Sequence, residues 1–314
     1  MTTILADAAG RGAQAAAPPP KFSLVLLTYA RDDVLAEVLA QLHDQVGARA
    51  DVELILVDNN LPDPARDALL APFARARRVG NGVNRGVAAR NDGFAAALGE
   101  IVVLLDDDVF IQTPDALERF AAIFAADPRV GVVTTAKHVR GETRRRPDLI
   151  PHTNKRIDLT RPFETFRFVG GCVGFRRRTL DNVGGFLPDF FYGLEEIEMS
   201  YRIIDAGWTI RYEPGIVVEE LEHPAGRKPK RMVQTQRLTN KYIISWLRMP
   251  FPYIVANYLL FTPYLLVRAG GEASVPGAVA GFVRWLRRPD RPRRQPIGPA
   301  ARAYIRRCGG AVWR

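Results

Sequence analysis

Ile101-Val102-Val103-Leu104-Leu105-Asp106-Asp107-Asp108 decides how this chain is read. Five consecutive apolar side chains leave no polar face, which predicts a strand buried on both sides, as in the interior of a parallel sheet. Three adjacent carboxylates then end it. Such a triplet repels itself and loses hydration. A hard divalent cation relieves both, because Mg²⁺ or Mn²⁺ binds through one or two carboxylates and completes its shell with substrate phosphates. An acidic turn or helix cap is the plainer alternative. Continued pleating sends Asp106 and Asp108 to one side and Asp107 to the other.

Upstream, the same pattern recurs. Phe22 to Thr28 and Val52 to Val57 are short apolar runs that read as buried strands, the second ending at Asp58-Asn59-Asn60. Asp32-Asp33 opens a helix with Leu35, Val38, Leu39 and Leu42 on one face. Further helices are predicted from Pro64 to Arg77 and from Asn84 to Ala97. Downstream, Pro114 to Ala126 reads as helix and Val130 to Thr135 as strand. Strands alternating with helices of this length imply an α/β fold with a doubly wound, mostly parallel sheet. Ligands in such sheets bind at the carboxyl ends of the strands, where Thr28 to Arg31, Asp58 to Asn60 and Asp106 to Asp108 all fall.

A second acidic cluster, Glu195-Glu196-Ile197-Glu198, opens a predicted helix running through Ala206. Carboxylates in a first turn complement the helix dipole, which is sufficient reason for them. They follow Phe190-Phe191-Tyr192-Gly193, however, and a carboxylate beside aromatic rings can hold a pKa suited to general-base work.

Composition narrows the class. The chain has 314 residues and net charge +10. Residues 224–314 contain 18 Lys and Arg against 2 Asp and Glu, a net of +16; the preceding residues contain 26 against 32, a net of −6. An acidic body thus precedes a basic C-terminal third that suits an anionic membrane surface or, on charge alone, nucleic acid. Two distant cysteines, Cys172 and Cys308, give no disulfide framework and fit a reducing compartment. Met1 to Pro20 lacks a basic segment followed by an apolar core and reads as a disordered tail.

Met249 to Val267 is apolar and aromatic and about long enough to span a bilayer, but Pro250, Pro252, Pro263 and Asn257 argue against one straight span. Tyr253, Tyr258 and Tyr264 are interface-type residues, and arginines and lysines flank the segment on both sides. The expectation is a helical basic extension in peripheral contact with anionic lipid, separable after Met249; helices packed on the preceding domain are the alternative.

Four stretches, in order, resemble family 2 glycosyltransferases of the GT-A fold, and within them the bacterial rhamnosyltransferase-like and galactofuranosyltransferase-like members. They are Leu27 to Arg31; Asn84-Arg85-Gly86 to Gly93, continuing to Gly99-Glu100; Leu104 to Asp108; and Phe168-Val169-Gly170-Gly171-Cys172, with Arg177, Gly184-Gly185-Phe186 and Glu195-Glu196 after it. The resemblance implies a GT-A catalytic domain over 21–223, with a nucleotide-sugar half (21–110) and an acceptor half (111–223). It implies inverting transfer from a nucleotide-diphosphate sugar to a hydroxyl acceptor. Donor contacts would come from Thr28, Tyr29, Arg31, Asp58, Asn84, Arg90, Asp106 and Asp107, and metal ligands from Asp106, Asp108 and His223, holding Mn²⁺ or Mg²⁺. Gly170, Gly171 and Tyr192 would face the acceptor. Glu196 stands at the family's general-base position, usually Asp, so Glu195 remains an alternative. The place implied is the cytoplasmic side of the plasma membrane.

Competing readings fit less well. A sugar-1-phosphate nucleotidyltransferase needs a Gly-rich basic loop after the first strand, which Thr28 to Arg31 lacks. Gln234-Thr235-Gln236-Arg237-Leu238 echoes the Q-x-x-R-W of processive polysaccharide synthases, but Leu238 stands where the Trp would be, and a bundle of membrane spans is not expected after it. A nucleic-acid-binding protein leaves the acidic strand end unexplained. A non-catalytic nucleotide-sugar-binding protein would keep the fold without turnover.

Overall fold

A computed structural model describes residues 18–144, 146–222 and 229–312. In chain order the elements are β1 (Phe22–Thr28), α1 (Asp32–Val46), β2 (Val52–Asp58), α2 (Pro64–Ala68), β3 (Ala76–Val79), α3 (Arg90–Ala96), β4 (Ile101–Asp106), β5 (Val109–Ile111) and α4 (Ala116–Ala126). There follow β6 (Val130–Val139), β7 (Phe163–Thr165), β8 (Cys172–Arg176), α5 (Arg177–Val183), α6 (Glu195–Asp205), β9 (Thr209–Glu220), α7 (Lys230–Arg248), α8 (Tyr253–Arg268), α9 (Val275–Leu286) and α10 (Pro299–Arg307).

The strands form one sheet in the order β3-β2-β1-β4-β8-β6-β9-β5, with β7 also paired to β9. The first four run parallel, as the apolar runs imply. Beyond them β8 lies antiparallel between β4 and β6, while β6 and β9 are parallel. Register sets the three strand ends level: Thr28 lies opposite Asp58, and Leu27 opposite Asp106. Both faces are covered. Leu24, Leu26, Leu54 and Leu56 pack with Leu35, Val38, Leu39 and Leu42 of α1 on one side, and Val25, Ile55 and Val57 pack with Phe94 of α3 on the other.

Several expected boundaries move. The helix from Pro64 stops at Ala68 and the chain enters β3 at Ala76. Pro72 lies between them; it lacks an N–H and disfavours helical backbone at the residue before it. The helix expected from Asn84 opens as a 3₁₀ turn, Gly86–Ala89, before α3 begins at Arg90. The strand from Val130 extends to Val139, and β5 appears just after the acidic triplet. The triplet is not pleated throughout: β4 ends at Asp106 and Asp107-Asp108 form a turn.

The basic C-terminal region is helical, as expected, but it is not a loose appendage. Leu247, Met249, Trp285, Tyr304, Ile305 and Val312 belong to the same buried cluster as Met199 and Ile203 of α6. Arg248 of α7 donates from Nε to Glu198 Oε1 of α6 at 2.8 Å, where Glu198 is fully buried and also holds Arg202. The Tyr304 hydroxyl of α10 accepts from the Ile210 N–H and donates to the Thr165 carbonyl, both at 3.1 Å. Among the described residues no helix is long and apolar enough to cross a membrane; α8 has 16 residues with Pro263 inside.

Candidate functional site

The level ends of β1, β2 and β4 open into a cleft of about 580 Å³. Tyr29, Arg31, Asn84, Arg90, Asp106, Asp107, Asp108 and Tyr192, all singled out from the sequence, wall it. Thr28 sits beneath them, fully buried. Arg31 clamps the turn after β4: its Nη1 donates to Asp107 Oδ1 at 3.0 Å and also to Asp108. The Tyr29 N–H donates to Asp107 Oδ2 at 3.1 Å. Asp107 and Asp108 therefore turn to the same guanidinium, contrary to the alternation expected of a continuing strand. Asp106 pairs instead with the buried Arg90, and its N–H donates to the Gly171 carbonyl at 3.0 Å.

The electrostatics differ across the triplet. Burial works against the charge of Asp106, yet Arg90 and Lys137 outweigh it and hold the carboxyl below its usual range. Burial pushes Asp107 up, with Arg31 opposing. Asp108 is pushed up to about 7, by burial and then by Asp106, Arg31 only partly compensating, with Asp107 and Glu220 adding repulsion.

Asp58 lies behind the cleft. Its carboxylate accepts from Arg66 Nε and from the N–H and Nδ2 of Asn60, each at 2.9 Å. The neighbouring Asn59 reaches the wall instead, donating to the Gly86 carbonyl at 3.0 Å. Gly86 is at φ +58°, and a Cβ there would stand 2.0 Å from the Phe191 carbonyl oxygen, so only glycine lets this turn meet the aromatic loop.

That loop carries the glutamate pair. Neither glutamate lines the cleft directly; both sit next to its wall, where their charges bear on Arg90 and Tyr192. Glu195 is 4% exposed, its Oε2 has no hydrogen-bond partner, and burial and the adjacent Glu196 raise its pKa against the pull of Arg90. Glu196 is half-buried. Its Oε1 would lie 2.9 Å from a Cβ at Gly170, so glycine there clears room for the carboxylate. Glu198, third in the cluster, is structural, holding Arg202 and Arg248. His223 lies outside the described residues.

Sequence reasoning missed Glu220, which walls the cleft from the end of β9 and pairs with Lys137 at 3.0 Å; the Glu219-Glu220 strand end was the available signal. It also missed Asn240 of α7, whose Nδ2 donates to the Tyr192 and Gly193 carbonyls at 3.1 and 2.7 Å. Positive φ at non-glycine residues is found at Ala30, Leu194 and Glu222. They flank Arg31, Glu195 and the end of β9. Backbone strain of this kind persists where surroundings over-determine it and clusters at functional sites.

Sheet order, acidic strand end and helical cover together define a GT-A glycosyltransferase fold. A mannosyltransferase from Pyrobaculum calidifontis, solved with GDP-Man and Mn²⁺, superposes with a TM-score of 0.58 at 22% identity, covering 92% of this chain and 84% of that one. The S. aureus TarS fragment 1-349 with UDP-GlcNAc superposes at 0.54 and 15% identity, covering 93% and 90%. Residues 23–184 match the model of glycosyl transferase family 2, and the chain belongs to that family. An N-acetylglucosaminyl-diphospho-decaprenol L-rhamnosyltransferase of Mycobacterium tuberculosis is 24% identical over 288 residues, 78% of this chain and 92% of the relative. The protein is accordingly a glycosyltransferase enzyme.

Proposed function

We propose that the protein moves a sugar from a nucleotide-diphosphate donor in the cleft to a hydroxyl acceptor, with inversion and with a carboxylate as general base. The observation that carries this is the acidic strand end: Asp106 and Asp108 face a cleft large enough for a nucleotide sugar, and burial, reinforced by its acidic neighbours, raises the Asp108 carboxyl to about 7.

A hard divalent cation fits this donor set. Among the described residues no three His, Cys, Asp or Glu side chains form a ready ion-binding group. Two carboxylates completed by substrate phosphates are, however, the usual arrangement for Mg²⁺ and its like, and a cation would relieve the carboxylate repulsion that adds to burial in raising Asp108. Asp106 and Asp108 would hold it, with His223 as the further ligand implied by sequence. When bound, the ion supplies charge neutralisation for the departing diphosphate.

The chain's own groups do the rest. Arg90 keeps Asp106 ionised, and Arg31 fixes the turn that carries Asp107 and Asp108. Glu196, the more accessible glutamate, takes the proton of the acceptor hydroxyl; the oxygen attacks the anomeric carbon as the bond to the diphosphate breaks, so the configuration inverts. Glu195 is the alternative base, and Gly170 leaves space on the acceptor side. We place the enzyme peripherally at a membrane: Phe251, Val255, Leu259, Leu260, Tyr264 and Val267 at and along α8 are exposed apolar side chains, with Arg268 at its end.

The test is calorimetric binding of a panel of UDP-, GDP- and dTDP-sugars with and without Mn²⁺. The wild type should bind one of them in a Mn²⁺-dependent manner, and Asp108→Ala should lose the metal-dependent part. Normal Mn²⁺-dependent binding and turnover by Asp108→Ala would reject the assignment.

A further inference from the structure

A second groove, of about 760 Å³, runs along α7 beside the cleft. It lies between α7 and α9, and Gln236 walls both cavities. On α7 the residues split by helical spacing: Lys230 and Val233 face the donor cleft, Arg231, Met232 and Thr235 face the groove, and Gln236 stands on the divide. Asn240 contributes to the groove wall, and its side-chain amide holds the loop just before Glu195 and Glu196. A molecule lying in the groove therefore borders the donor cleft at Gln236 and the loop before Glu195 and Glu196 at Asn240.

The groove has a consistent chemistry. Met232, Ile243 and Trp285 offer apolar surface, and Arg231, Arg284 and Arg288 supply three guanidinium groups. The groove's carboxylate, Asp189, is already engaged by Arg288 and by Trp285 Nε1, the latter at 3.1 Å, and Arg288 is also held by Asp290. The surplus positive charge rests on Arg231 and Arg284. Apolar wall plus guanidinium fits an anionic amphiphile, the guanidinium being the side chain best matched to phosphate oxygens. The exposed apolar residues of α8, and Val279 and Val283 on the outer side of α9, put a lipid-compatible surface on the same helical unit.

We propose that this groove binds the phosphate and the first isoprenoid-like units of a lipid-phosphate-linked acceptor, leaving its sugar to reach past Gln236. This rests on the transferase reading and names the acceptor class for it. The probe is farnesyl diphosphate, titrated calorimetrically into the full-length protein, with inorganic pyrophosphate and farnesol as separate arms and the nucleotide sugar as competitor. Farnesyl diphosphate should bind at least about tenfold more tightly than either part alone, and the nucleotide sugar should not displace it. The double variant Arg231→Ala/Arg284→Ala should bind it at least about tenfold more weakly, as for loss of charge-assisted hydrogen bonds, while keeping wild-type nucleotide-sugar affinity. Equal binding of pyrophosphate, equal binding of farnesol, displacement by the nucleotide sugar, or an unchanged double variant would each overturn the groove. Failure of the wild type to bind any nucleotide sugar would overturn the transferase reading itself.

Discussion

At the scale of single residues, adjacent identical side chains separate by environment. Glu195 and Glu196 are neighbours, but one is buried against Arg90 and the other half-buried beside Gly170. Glu196→Gln should keep donor binding and lose at least about 100-fold in turnover, the usual order for removing a general base. Glu195→Gln should be milder, and the reverse ranking in single-turnover assays would move the base to Glu195. Lys241, in the middle of α7, bears on stability rather than chemistry. It is buried, its Nζ lies 4.9 Å from the Phe261 ring centroid, and burial lowers its pKa to about 7. Between that value and the ordinary lysine value of 10.5 the unfolded chain binds more protons than the folded one, so stability should rise with pH across this window. Lys241→Met should remove that rise in thermal melts between pH 7 and 10 and raise the melting temperature at pH 7. A pH dependence unchanged in the variant would assign it to another group.

At the scale of elements, α7 joins the parts of the site. Its first turns wall the cleft, its Asn240 holds the backbone of the glutamate loop, and its Arg248 reaches the buried Glu198. Two carbonyls lose their donor in Asn240→Ala. Unmade buried hydrogen bonds cost about 1–3 kcal/mol each, so this variant should melt earlier and lose turnover, while donor binding across the cleft at β1 and β4 changes little. Equal losses in donor affinity and turnover would show that α7 supports the whole cleft rather than its acceptor side.

At the scale of the whole molecule, the C-terminal helices combine an inward face that completes the core with an outward one that is apolar and basic. Removing everything after Met249 strips Trp285, Tyr304, Ile305 and Val312 from the core cluster and deprives Ile210 and Thr165 of their partner. Each buried large side chain is worth about 1.5–3 kcal/mol, and folded domains hold only about 5–15 kcal/mol in all. The truncated chain should therefore fail to unfold cooperatively in denaturant, contrary to the separability expected from sequence. Point changes address the outer face without that loss: Leu259→Ser/Val267→Ser should reduce co-sedimentation with anionic vesicles at low salt, with the melting temperature preserved. Full-length protein that stays in solution under those conditions would exclude the membrane contact.

Strand and helix periodicity, the acidic strand end and the family's motifs were legible in the sequence because each is a local pattern: β1, β2 and β4 are continuous apolar runs, and Asp106 to Asp108 follow directly on one of them. The charge of the last third and its helical character were legible for the same reason. Tertiary structure alone decided the rest. Asp58 turns to Arg66, Asp106 to Arg90, and Asp107 with Asp108 to Arg31, because the partner of a carboxylate is set by which strand and helix ends meet. Glu198 is held in a structural ion pair because Arg248 arrives from 50 residues away. The second groove exists only because α7 and α9 pack side by side, at a separation in sequence over which no periodicity reports.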